Sequence, residues 1–194
     1  MIAINRPENR NAIDPPTAKL LYEAFKTFES DKESIVAVLH GKGGHFCAGW
    51  DLKALSKADP SSLPDDPKTT EYGPIGPSRM MFTKPVIASV SGYAVAGVPL
   101  VDGGTARLPQ LIGLSRALDM ILTGRPVEAK EAYEFGLANR IAKTGTGLGV
   151  AVNLAFDIAR FPQRCMNTDR KSAYYSTYNA KSIEDALQYE FMET

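Results

Sequence analysis

The 194-residue sequence has few of the residues from which metal centres and disulfide scaffolds are built. It contains two cysteines, Cys47 and Cys165, and two histidines, His40 and His45. The cysteines lack the paired spacing of a zinc or redox motif, and the histidines have no Ser or Cys partner in a triad arrangement. We therefore expect two free thiols in a reducing compartment, with no metal site.

The chain also lacks long apolar runs and any excess of one charge. No apolar stretch approaches the ~20 residues of a membrane span, and the N-terminus lacks the pattern of a secretory signal. With 22 basic and 22 acidic residues, nothing favours nucleic acid or an anionic membrane as a partner. We expect a soluble intracellular protein of the cytoplasm or mitochondrial matrix, without a visible targeting segment, and the length fits one domain.

The first half of the chain alternates strand and helix patterns. Asp14 is a good N-cap with Pro15 at the first helical position, and the helix after it is predicted to bury Leu20, Leu21, Phe25 and Phe28 on one face. Another helix begins after Asp51. Strands are predicted at 2–5, 34–40 and 85–90. This order favours a parallel α/β sheet with crossover helices.

The second half is predicted to be helical. An apolar stripe at Leu114, Leu118, Ile121 and Leu122 indicates one helix. Further helices are predicted at 128–135, ended by a glycine cap, at 148–161, ended by a proline, and from a capping sequence at 182–185.

Two glycine-rich loops are the candidates for chemistry. One spans 41–52 and the other 91–97, and each follows a predicted buried strand. Glycines let the backbone approach a ligand and expose N–H donors. Loops at the carboxyl ends of adjacent parallel strands share one crevice, so we expect these two to face each other. Paired backbone N–H groups would stabilise an oxyanion on a carbonyl substrate.

The segment between the second loop and the next glycine turn is unusually short. Gly97 is followed by Val98 and Pro99, and Gly103 comes only four residues after Pro99. Because proline pushes the preceding residue towards extended backbone, no helix can begin at Gly97 in this span. The N-terminus of a helix, which would favour negative charge near that loop, is therefore not expected here.

An ordered set of motifs resembles the enoyl-CoA hydratase/isomerase (crotonase) superfamily along nearly the whole chain. The motifs are Asn5-Arg6-Pro7 with Asn11-Ala12, the loop Gly41 to Leu52 with its Ala-Gly-x-Asp-Leu ending, Lys84-Pro85-Val86-Ile87-Ala88, Gly92-Tyr93-Ala94, the run Gly103 to Pro109, Gly124-Arg125, and Glu131-Ala132 with Gly136-Leu137.

The resemblance implies a fold and a chemistry. The fold would be an α/β, crotonase-like ββα spiral core over 1–142, then a helical region over 143–194, together one domain. The substrate would be an acyl-CoA thioester, whose enolate two backbone N–H groups stabilise. Coenzyme A is part of that substrate, and neither a separate cofactor nor a metal is implied. The matching site positions are Ala48 and Gly97 as oxyanion donors, with Gly49, Trp50 and Asp51 also at the substrate.

The sequence also departs from the family pattern. Both glutamates of the hydratases are missing, and a helix-strand unit is absent near 97/98. Asp102 matches a position where some members place a catalytic aspartate; the alternative is an ordinary Asp-Gly turn. Against the family pattern we expect parts of both ends to be missing, since the first strand begins late and the terminal helices are incomplete. The resemblance implies trimers, weakened here by an incomplete helical region.

Two hypotheses about function follow. The first is an enzyme of the hydratase/isomerase type that uses Ala48, Gly97 and Asp102. The second is a non-catalytic shortened variant, unstable alone or associated with full-length relatives. A missing strand would expose apolar residues around Val36, Val86 and Ile87. The roles of two loop side chains are undecided. Trp50 either lines the acyl pocket or anchors the loop, and His45 lies either at the CoA entrance or in solvent.

Overall fold

The structure, a computed structural model, describes residues 1–57, 72–94 and 102–193. Its three strands form one parallel sheet in the order β1-β2-β3, so that β2 is central. The strands are β1 (Ile2–Ile4), β2 (Ala37–Gly41) and β3 (Val86–Ser89). The predicted α/β class with parallel pairing is confirmed.

Helices make up most of the remaining described residues. They are α1 (Pro15–Ser30), α2 (Leu52–Leu55), α3 (Gly104–Ile112), α4 (Leu114–Thr123), α5 (Ala129–Glu134), α6 (Gly147–Ala159), α7 (Gln163–Tyr178) and α8 (Ile183–Glu193). Within the part of the chain that the structure describes, none of these helices is long and apolar enough to span a membrane.

Helix α1 begins where the sequence predicts, because the Asp14 carboxylate accepts a hydrogen bond from the Thr17 N–H at 2.9 Å. Its buried face includes Leu21, Phe25 and Phe28. The prediction that Leu20 shares this face is wrong, since Leu20 is 70% exposed. At about 100° per residue, Leu20 points well away from the centre of the buried face.

The core lies where α1 packs against the sheet. One cluster joins Ile4 of β1 to Leu21, and a second joins Phe25 and Phe28 to Ala37 of β2. Helix α6 contacts β2 and β3, and a Cβ at Gly147 would lie 3.5 Å from the buried Ser89 hydroxyl. The sheet and α1 therefore form the frame from which the two glycine loops emerge.

Little apolar surface is buried in the second half of the chain. Beyond residue 101, the fully buried apolar residues of the described chain are Ile112, Ala117, Ala151 and Ala186. The predicted stripe on α4 exists, but it faces outwards: Leu114 is 63% exposed and Leu122 is 78% exposed.

The exposed apolar side chains do not lie where the sequence predicts them. Val36, Val86 and Ile87 are half-buried, and α6 covers the sheet beside them. Large exposed apolar side chains lie instead on α4 and on α8, where Leu187 is 57% and Phe191 is 81% exposed.

Lys84 is expected to stabilise the junction between α1 and the sheet. Its ammonium donates to the carbonyls of Phe28 at 2.7 Å, Asp31 at 2.5 Å and Ser34 at 3.0 Å, and it adds positive charge at the C-terminus of α1.

Lys84→Met leaves these acceptors without a partner, so we expect a loss of about 2 kcal/mol in the free energy of unfolding, measured by urea denaturation. Lys19→Met, at an exposed position of α1, is the control and should stay within about 0.5 kcal/mol of the parent. Equal effects of the two substitutions would refute this role.

Candidate functional site

The two glycine loops are joined by backbone hydrogen bonds. The Phe46 N–H donates to the Ser91 carbonyl at 2.7 Å, and the Cys47 N–H donates to the Tyr93 carbonyl at 3.0 Å. Cys47 and Ala94 also form a parallel bridge beyond the ends of β2 and β3. The prediction that the two loops face each other is confirmed for their described residues, and residues 95–97 lie outside that part of the chain.

Side chains add to this junction. The Tyr93 N–H donates to His45 Nδ1 at 3.3 Å, and the two rings lie 5.0 Å apart between centroids. The Arg10 guanidinium lies 5.1 Å from the centre of the Tyr93 ring. Gly92 has a φ of +56°, and a Cβ there would overlap His45 Nδ1. His45 is half-buried.

Asn11 holds the first loop from behind. Its side chain is fully buried, donates to the carbonyls of Lys42 at 2.8 Å and His45 at 2.6 Å, and accepts from the Arg6 N–H at 2.8 Å. A buried amide with its bonds satisfied fixes backbone geometry, because each bond lost would leave a desolvated polar group. The sequence motif contains Asn11, but its local pattern assigns it no role.

An ion triad fixes the end of the same loop. Arg6 Nη2 lies 3.0 Å from an oxygen of Asp14 and 3.0 Å from an oxygen of Asp51. The second Asp51 oxygen accepts from the N–H groups of Lys53 and Ala54, both at 3.2 Å, and so caps α2. Burial of the Asp51 carboxylate raises its pKa, but hydrogen bonds from Ala54 and Arg6 outweigh this, and the pKa lies below its ordinary value.

Asp51 has a structural role in this loop. Both of its oxygens hold protein groups, so Asp51 anchors the loop, and its place at the substrate stays a prediction.

The N–H groups of the first loop have hydrogen-bond partners that the sequence does not predict. The Ala48 N–H, predicted as an oxyanion donor, donates to the Arg10 carbonyl at 3.1 Å. The Gly49 N–H lies 3.3 Å from Cys47 Sγ, and Gly49 has a φ of +83°, which favours glycine there. Ala48 is therefore engaged within the protein and does not present a free donor in this conformation.

Trp50 is one of the residues of the first loop whose backbone N–H has no acceptor among the described residues. Its neighbours are bonded to the N-terminal segment: the Ile13 N–H donates to the Gly49 carbonyl, and the Asp51 N–H donates to the Ile13 carbonyl, each at 2.8 Å. Within residues 1–57, 72–94 and 102–193 the Trp50 N–H has no acceptor. Sequence reasoning considered only the side chain of Trp50, because the availability of a backbone donor depends on the fold.

The thiol beside this donor is not activated. Burial raises the pKa of the Cys47 thiol, which outweighs the hydrogen bond from the Gly49 N–H. A protonated thiol is a poor nucleophile, so Cys47 has a packing role in this loop. The described residues contain no cluster of three or more metal-ligating side chains.

Asp102 is held in a turn that leads into α3. Gly103 has a φ of +79° and caps that helix, which fits the Asp-Gly turn alternative. One Asp102 oxygen accepts from the Ile75 N–H at 3.2 Å, while the other lies 3.7 Å from Arg79 Nε. That second oxygen is buried and accepts no hydrogen bond from the described residues. Gly97, the other predicted donor, lies outside the described residues.

Comparison with known proteins identifies what this arrangement resembles. The family model for enoyl-CoA hydratase/isomerase matches residues 1–101. The chain is 31% identical over 186 residues to an enoyl-CoA hydratase, EchA19, of Mycobacterium tuberculosis, with 80% of this chain and 69% of that protein covered. It is 33% identical over 187 residues to a carnitinyl-CoA dehydratase of Salmonella paratyphi A, covering 79% of this chain and 68% of that protein.

A solved structure agrees with these sequence matches. The crystal structure of an enoyl-CoA hydratase from Mycobacterium tuberculosis H37Rv superposes with a TM-score of 0.88 at 28% identity, covering 98% of this chain and 83% of that chain. The crotonase-like α/β fold predicted from the motifs is therefore confirmed.

Asn11→Ala is expected to loosen the first loop. The substitution leaves the carbonyls of Lys42 and His45 without their donor inside the protein, and we expect the free energy of unfolding to fall by about 3 kcal/mol. Asn9→Ala, at an exposed neighbouring position, is the matched control and should change it by less than about 0.5 kcal/mol. Urea denaturation measures both, and a fall below about 1 kcal/mol for Asn11→Ala would contradict the clamp.

Asp51→Asn is expected to alter the pH dependence of stability. A carboxylate whose pKa is lowered by folding stabilises the protein above its unfolded pKa and loses that contribution as the pH falls through the folded value. The parent should therefore exceed Asp51→Asn in free energy of unfolding by up to about 1 kcal/mol at pH 7, and this gap should shrink at pH 3. Asp157→Asn, at an exposed ion pair, should show no comparable change between the two pH values. A gap that is constant with pH would contradict the ion triad.

Proposed function

Because this chain belongs to the enoyl-CoA hydratase/isomerase family, we propose that it binds an acyl-CoA thioester at the junction of its two glycine loops. The observation that carries this proposal is the joining of the loops by backbone hydrogen bonds, with the Trp50 N–H without an acceptor among the described residues. Coenzyme A enters as part of the substrate, and no separate cofactor is required.

The Trp50 N–H is the donor that we propose for the acyl carbonyl. It lies between two backbone contacts to Ile13, which fix the peptide without using this N–H. A donor that is held in place before the substrate arrives stabilises developing negative charge without reorganising. Gly97 stays the predicted second donor, on the loop that follows Tyr93, and Ala48 could serve only if Arg10 released its N–H.

Asp102 is the residue that we propose for delivering a proton to the enolate or for removing the proton whose loss forms it. Support comes from its buried, uncommitted oxygen and from the Arg79 side chain at 3.7 Å, which balances its charge. The carboxylate also holds the Ile75 N–H, so it fixes the segment before β3 as well. The two roles are separable, because an amide keeps the acceptor for Ile75 but cannot act as a base.

A non-catalytic role is the second candidate, and specific observations favour it. The match to EchA19 spans 186 aligned positions but covers 80% of 194 residues, about 155, so about 30 positions of that relative have no counterpart here. The family match ends at residue 101, close to the join at 97/98 where a helix-strand unit is expected. The exposed apolar faces of α4 and α8 would then be covered by copies of this chain or by full-length relatives.

Asp102→Asn distinguishes the two candidates. For the enzyme, hydration of crotonyl-CoA should be measurable for the parent by loss of the enoyl absorbance, and Asp102→Asn should lower kcat by about 10²-fold or more. Its free energy of unfolding should change by less than about 1 kcal/mol, because the Ile75 contact remains. Asp169→Asn, at an exposed position of α7, is the control and should leave the rate unchanged.

Other outcomes have equally clear meanings. Binding of butyryl-CoA by calorimetry without any turnover would support the non-catalytic candidate. Equal rates for the parent and Asp102→Asn would remove Asp102 from the reaction. Absence of acyl-CoA binding at millimolar concentration would refute the proposed function itself.

A further inference from the structure

His45 joins the two glycine loops through its side chain. Its Nδ1 accepts the Tyr93 N–H at 3.3 Å, whereas the other contacts between the loops are made by the backbone or by ring packing. A backbone N–H can only donate, so Nδ1 must carry a lone pair for this bond to exist. The geometry therefore requires a neutral imidazole with its proton on Nε2.

Protonation would turn this contact into an opposition of two donors. Imidazolium carries a proton on both ring nitrogens, and Nδ1–H would then face the Tyr93 N–H. The His45 ring has little room to move on the side of Gly92, because Gly92 approaches Nδ1 so closely that a Cβ there would overlap it. The ring would have to rotate, and the second loop would lose a point of attachment to the first.

The groups nearest the His45 ring come from the N-terminal segment and from the two loops. From the N-terminal segment, the Arg10 guanidinium covers the Tyr93 ring against which His45 packs. Lys42, which is exposed, and Cys47 belong to the same loop as His45, and the Tyr93 ring of the second loop packs against the imidazole. In the described part of the chain no carboxylate forms an ion pair with His45.

We propose that His45 is a positioning residue that couples the two loops, and that the site takes up an acyl-CoA only when the imidazole is neutral. The ligand arm of this proposal rests on the proposed function, whereas the coupling between His45 and Tyr93 does not. Histidine changes its charge between pH 5 and 8, so the coupling would make thioester binding sensitive to mild acid.

Three variants separate the parts of this proposal. His45→Asn places an amide oxygen near the position of Nδ1, so it keeps an acceptor that does not titrate. His45→Phe keeps a ring but removes the acceptor. His40→Gln removes the only other histidine of the chain and serves as the control for pH effects unrelated to the loops.

The first measurement is NMR of the protein without a ligand. We expect His45 to show the tautomer with its proton on Nε2, and the Tyr93 amide resonance to shift with pH at the same midpoint as the His45 ring. His40→Gln should keep this shared midpoint, and His45→Asn should abolish it. A Tyr93 amide that does not respond to the His45 titration, or the opposite tautomer, would overturn the coupling.

The second measurement is the Kd of butyryl-CoA by calorimetry at pH 8.0 and pH 5.5. Because phosphate groups also titrate near pH 6, each value is compared with that of His45→Asn at the same pH. On acidification, the Kd of the parent should rise about fivefold more than the Kd of His45→Asn. His45→Phe should bind butyryl-CoA weakly at both pH values. Parallel curves for the parent and His45→Asn would refute the pH sensitivity. Absence of binding in every variant would refute the proposed function, while the NMR result would still decide the coupling.

Discussion

The backbone hydrogen bonds between the two glycine loops are the constraint on which the rest of the site depends. Phe46 and Cys47 donate across to residues 91–94, and this is possible because β2 and β3 pair in parallel and release both loops at one edge. Asn11 and the Arg6 triad then hold the first loop from the opposite side. The peptide of Trp50 is thus fixed between two supports, and its N–H has no acceptor among the described residues.

This arrangement uses polar contacts that span large distances along the chain. Asn11 bonds to residues more than 30 positions away, and Arg6 bonds to Asp51. Charged and amide groups at such places act through the backbone they hold. A substitution at Asn11 or Asp51 is therefore expected to affect the site indirectly, by changing where the loop N–H groups lie.

Sequence patterns predicted those features that depend on local chemistry. The N-cap at Asp14, the three strands and the meeting of the loops follow from capping, apolar runs and parallel pairing. Helices α3 and α7 were not predicted individually: α3 begins at a glycine pair and contains Pro109, and α7 is polar around most of its circumference. The outward position of Leu20 and the engaged N–H of Ala48 depend on tertiary packing, which the local pattern does not contain.

The measurement that tests the central claim most directly is the response of backbone amide resonances to butyryl-CoA in a uniformly ¹⁵N-labelled sample. The account predicts a downfield shift of the Trp50 amide on binding, as its N–H gains a carbonyl acceptor, with a much smaller change at Ala48, whose N–H already donates to Arg10. Saturable binding that leaves the Trp50 amide unmoved, or that shifts Ala48 in its place, would contradict the account.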